Sequence, residues 1–153
     1  MQSQTIRLEF LWWLLTGLAT ALILLPIAIY TKNYPFWVSN VLFIITFLTF
    51  TRYLFLLPVT FFAHLQVFKV VLLFLCIPIF VFSIRELNNF QIFVDYNDTE
   101  ALIGLLPYKT MSAMREYVYN EFLLFGVGTL VATVILPFRL VISVWRSRNT
   151  GKA

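Results

Sequence analysis

The amino-acid sequence predicts an all-α integral membrane protein, a four-transmembrane-helix bundle with an outer-side loop that contains a short interfacial helix. Three observations carry that prediction. The chain of 153 residues is 61% hydrophobic and only 12% charged, whereas a soluble domain carries about 25% charged residues. Its mean hydropathy is +0.88, so too few polar side chains are available to cover a surface facing water, and lipid must cover most of it. The apolar residues are also gathered into four long runs, with Lys and Arg concentrated on one side of them. The whole chain, 1–153, reads as one membrane domain.

The first run, about 10–30, is uncharged from Phe10 to Tyr30 and supplies the roughly 20 residues that a helix needs to cross a hydrocarbon core about 30 Å thick. Arg7 precedes it. The run exceeds the about 7–15 residues of a signal-peptide core and no A-x-A-type site follows, so it reads as a retained helix. Thr31-Lys32-Asn33 makes a polar turn, and Pro35 opens the second run, about 36–57, in a first-turn position that proline favours. The third run, about 62–84, stops at Arg85-Glu86, and the fourth, about 122–145, passes through Pro137 and Arg139 to Trp145. Between the second and third runs only Pro58, Thr60 and His64 supply turn material, which leaves a three-span chain with a re-entrant segment at 53–65 as the alternative topology. The runs lack a polar face, as lipid-facing helices do. A helix also satisfies its own backbone polar groups, which hydrocarbon cannot.

Charge gives the bundle a direction. One side receives Arg7, Arg52, Lys69, Arg139, Arg146, Arg148 and Lys152; the other receives Lys32, Arg85, Lys109 and Arg115. Glu9 is the one acid on the first side, with Glu86, Asp95, Asp98, Glu100, Glu116 and Glu121 on the second. By the positive-inside rule both termini are expected in the cytoplasm. Trp12, Trp13 and Trp145 fall at the inner boundary and Tyr30, Tyr34 and Trp37 at the outer one, where amphipathic rings are favoured. Arg52, Lys69 and Arg139 are expected to lay their stems along lipid and reach the headgroups. The net charge of +4 would suggest nucleic acid in a soluble protein, but in this chain no nucleic-acid partner is expected.

The outer loop, 85–121, is the one polar stretch long enough to build structure outside the membrane. Phe90 to Tyr96 reads as extended or interfacial chain. Asn97 with Glu100 three residues later resembles a capping box that introduces a short helix ending at Pro107. Beyond Lys109, Met111, Met114, Val118 and Phe122 share one helical face, an interfacial helix that feeds into the fourth span. Asp95, Asp98, Glu100, Arg115 and Glu116 are the candidate residues for an outer-loop interaction. Paired carboxylates can do acid–base chemistry, but the spacing of these fits a solvated cap and helix face equally well. Asn97-Asp98-Thr99 matches the glycosylation acceptor pattern.

Within the spans, Gly17-x-x-x-Ala21 and Gly128-x-x-x-Ala132 are small-x-x-x-small pairs that let helix backbones approach closely. Their depths overlap in an antiparallel arrangement, so the first and fourth helices are expected to pack there. Pro26, Pro78 and Pro137 lie inside three spans and read as packing features. His64 is the sole histidine and Cys76 the sole cysteine; neither has partners for a metal site or disulfide. No catalytic residue, metal or cofactor is expected. The middle of each span is free of Asp, Glu, Lys and Arg, groups on which pumps and proton-coupled carriers depend. The reading that follows is a non-enzymatic accessory or scaffold subunit of a larger membrane complex, with the lipid bilayer and other membrane subunits, or a second copy, as partners. An oligomeric channel or carrier using Ser39, Asn40 and the span threonines is one alternative. A lipid-processing enzyme using the outer-loop acids is the other.

Overall fold

The computed structural model describes residues 2–31, 33–60, 65–97, 100–104 and 106–150. These form five α-helices in order: α1 (Gln2–Tyr30), α2 (Trp37–Leu56), α3 (Gln66–Asn97), α4 (Glu100–Ile103) and α5 (Tyr108–Thr150), with a single 3₁₀ turn at Leu57–Val59 after α2. Four of them, α1, α2, α3 and α5, are long and apolar enough to cross a membrane. The protein is therefore an all-α bundle with four spans and a short helix at one end, a small multi-pass membrane protein. The second and third runs are separate helices, each long and apolar enough to span, which favours four spans over the three-span alternative.

Helices α3 and α5 differ from expectation in length. At about 1.5 Å per residue, the 32 residues of α3 and the 43 residues of α5 extend about 48 and 64 Å, well beyond a core of about 30 Å. Residues 85–97 and 108–121, expected as loop, extended chain and interfacial helix, continue α3 and lead into α5 without a break. The reason is a second pattern beneath the polar one. Leu87, Phe90 and Val94 recur at three- and four-residue spacing and meet Met114, Val118 and Phe122 of α5 in one core cluster. Phe90 and Phe122 stack with ring centroids 4.1 Å apart. Polar residues then occupy the faces turned away.

The loop that remains is short. Leu102 and Ile103 of α4 are buried against this cluster, so α4 caps the bundle. It stops at Gly104, whose φ of +79° lies in the left-handed region that glycine enters without a steric penalty. Pro35 and Phe36 form a turn just before α2, and the Asn40 backbone N–H donates to the Phe36 carbonyl. Pro26, Pro78 and Pro137 sit inside α1, α3 and α5 without ending them.

The bundle is organised around α5. Helices α2 and α3 lie along either side of it, while α1 packs chiefly on α2 and touches α5 at one crossing. A second core cluster, Phe50, Tyr53, Leu72, Cys76, Ala132, Leu136 and Leu140, joins α2, α3 and α5 toward the end that carries the chain termini.

Candidate functional site: a buried polar cluster and its cleft

Toward the α4 end, polar side chains from four segments converge inside the bundle. Asn40, fully buried on α2, donates from Nδ2 to Glu121 Oε2 of α5 at 2.7 Å, and more weakly to the Tyr34 hydroxyl at 3.5 Å. Ser39 donates to Glu86 Oε2 of α3 at 2.5 Å. Asn89 donates to the other Glu86 oxygen at 3.3 Å. The Tyr117 hydroxyl donates to the Ile23 carbonyl of α1 at 2.6 Å. Burial, with the Glu121 carboxylate nearby, raises the Tyr34 phenol above its ordinary range.

Two acceptors in this cluster have no hydrogen-bond partner among the described residues: Asn40 Oδ1 and Glu121 Oε1, both buried. Ile23 lies seven residues before the end of α1 at Tyr30, about 10 Å along the axis. Tyr117 and Glu121 therefore stand beside the apolar run of α1, below its end. Glu121 stands just before the fourth apolar run, and the crossing of α1 over α5 sets this one acid against the apolar side of α1. An ionisable residue buried beside a cleft is a functional-site candidate.

A second set of polar contacts ties the helices near the termini. Arg52 of α2 forms a bidentate pair with Glu9 of α1, at 2.8 and 2.6 Å, and its guanidinium lies 5.2 Å from the Trp12 ring centroid. Lys69 is 1% exposed and donates to Ser143 at 2.9 Å. Gln66 donates to Ser147 at 2.7 Å. The expectation that Arg52 and Lys69 reach along lipid to the headgroups is thus corrected: each is held by a partner on a neighbouring helix. Charge removed from water is stabilised most by a close, hydrogen-bonded partner.

The small-residue pairs also part company. Gly128 lies under Phe47 of α2, where a Cβ would come within 2.6 Å of the ring, and Ala132 is buried beside Phe50 and Tyr53 of α2. Gly17 has nothing within 4 Å of where its Cβ would be, and Ala21 beside it is exposed. The first and fourth spans do not pack through these pairs, because α2 covers the small face of α5. Gly126 adds a further close approach, to Leu87 and Phe43.

Of the candidate interaction residues, Asp95 is exposed on α3 and Arg115 and Glu116 are exposed on α5. Asn97 ends α3, exposed, with Nδ2 donating to the Phe93 carbonyl at 3.3 Å. Asp98, Thr99 and His64 lie outside the described residues, as does the Glu100 side chain. Among the described residues no three metal-ligating side chains cluster.

Two hollows flank the polar cluster. One, of about 300 Å³, lies between α2 and α3 over α5 and is lined by Leu42, Thr46, Pro78, Phe82 and Thr129 among others. The Thr129 hydroxyl is turned away to the Phe43 carbonyl and the nearby Ser83 hydroxyl to the Ile79 carbonyl, so this groove is almost wholly apolar. The other, an open cleft of about 520 Å³ between α1 and α5, is lined by Ile23, Glu116, Tyr117, Asn120, Glu121 and Phe125 with their neighbours. It joins carboxylates to apolar wall. Sequence reasoning placed Asn40 among pore candidates and Glu121 among the outer-side acids, and the one signal of their pairing is that each lies near the same end of its apolar run, Asn40 about one turn inside it and Glu121 just before it. Set against models of known protein families, curated proteins and solved structures, the chain shows no match.

Proposed function

We propose that this multi-pass membrane protein is a non-enzymatic accessory or scaffold subunit that binds the transmembrane helices of a partner, with both termini in the cytoplasm. The observation that carries the proposal is the state of α1. It is the least covered of the four long helices, and from Phe10 to Leu18 nearly every side chain is exposed. Its Gly17 and Ala21 offer an open face of the kind that admits a second helix closely, and no helix of this chain uses it. The Glu9–Arg52 pair anchors the same half of α1 to α2 and so holds that face in place.

The channel reading gains no support from the geometry. Asn40 and Thr129, which would have to face a lumen, are fully buried and bonded to neighbouring helices. Of the acids on which the enzyme reading rests, Asp95 is exposed, while Asp98 and the Glu100 side chain lie outside the described residues.

The test is extraction from native membranes in mild detergent, followed by mass determination. The expected particle exceeds the 17.9 kDa of the chain by a defined protein component, and Gly17→Trp releases that component while the chain stays folded. A homogeneous monomer, unchanged by Gly17→Trp, overturns the proposal. The orientation is tested by reporter fusions at each terminus, both expected on the cytoplasmic side.

A further inference from the structure

We propose that the cleft between α1 and α5 is a binding site for an ammonium group carried on an apolar chain. Glu116, Tyr117, Asn120 and Glu121 fall on one face of α5 and line the cleft together, with Ile23 of α1 opposite and Phe125 below. Glu121 is 6% exposed, one of its oxygens takes the Asn40 amide, and the other has no partner. Neither Glu116 nor Glu121 is ion-paired among the described residues. A carboxylate withdrawn from water without a cation carries a heavy desolvation penalty, and Glu121 is such a group, lining the cleft together with the exposed Glu116 five residues earlier.

The ligand follows from that lining. Two acids and an amide oxygen call for a hydrogen-bonding cation, and an ammonium group donates three hydrogen bonds. Tyr117 and Phe125 add aromatic surface, which attracts cations. Ile23 and the apolar run of α1 require that the rest of the ligand be hydrocarbon. An aminophospholipid headgroup and a free long-chain amine share this chemistry. The site is separate from the Gly17 face and does not depend on a protein partner.

The test uses the full chain in phosphatidylcholine vesicles with a long-chain primary amine carrying a diazirine on its alkyl chain, irradiated and read by peptide mass spectrometry. Adducts are expected around Ile23 and Phe125. Glu121→Gln is expected to reduce them by about tenfold or more, the scale of one lost charge-assisted hydrogen bond, and Glu116→Gln by a smaller factor. Glutamine at 121 keeps an acceptor for the Asn40 amide. Glu116 is exposed, so its variant decides the matter if the first does not fold. Displacement of the probe by added phosphatidylethanolamine identifies a lipid source, and displacement by unlabelled amine alone identifies a free amine; either supports the site. Labelling by a diazirine alcohol of equal length as strong as by the amine, or amine labelling unchanged in every folded variant, overturns it.

Discussion

Arg52 illustrates how single residues hold this bundle. Its pair with Glu9 is bidentate and both side chains are largely shielded, at 9% and 13% exposure. Removing one partner of such a pair costs about 3 kcal/mol or more, because the other charge is left buried alone. Arg52→Ala is therefore expected to lower the thermal midpoint in detergent markedly, and the exchange Glu9→Arg with Arg52→Glu to restore part of the loss. An unchanged midpoint in Arg52→Ala would show the pair to be incidental. Hydrogen bonds between neutral groups in membrane helices average only about 0.6 kcal/mol, so Thr129→Val, which removes the bond to the Phe43 carbonyl, is expected to cost far less by the same measurement. Little of this was legible in the sequence. Glu9 and Arg52 stand 43 positions apart and Lys69 and Ser143 stand 74 apart, and only the packing of helices brings such residues together.

At the scale of elements, α1 and α2 were legible as helices, because an unbroken apolar run flanked by polar turns leaves the backbone one way to satisfy itself in lipid, although α1 begins at Gln2, well ahead of the run that starts at Phe10. The overrun of α3 was not. Arg85, Glu86, Asn88 and Asn89 look like a helix end, yet a helix leaving the bilayer needs only one apolar face, and Leu87, Phe90 and Val94 supply it against α5. The role of α5 as the central helix gives a paired prediction on its glycines. Gly128→Leu forces the Phe47 ring aside, and overpacking of this kind costs about 1–3 kcal/mol. Gly17→Leu meets open space within the chain and is expected to leave the midpoint unchanged. Thermal unfolding of the two variants side by side in detergent checks this, and equal losses would contradict the arrangement of α2 over α5.

The whole molecule is a bundle with a firm centre and one helix set apart. The four-span architecture was plain in the sequence, since hydropathy reports solvent directly, whereas the burial of Glu121 depends on how α1 and α2 pack on α5 and has no local signature. The central claim is that the uncovered half of α1 receives a helix from another protein or a second copy. The most direct measurement is site-specific photocrosslinking in native membranes with a crosslinking amino acid at Gly17, and with a second placed at Thr129, buried in the bundle, as control. A discrete protein adduct from position 17 and none from position 129 is the result the account predicts. Crosslinks from position 17 to lipid alone would contradict it.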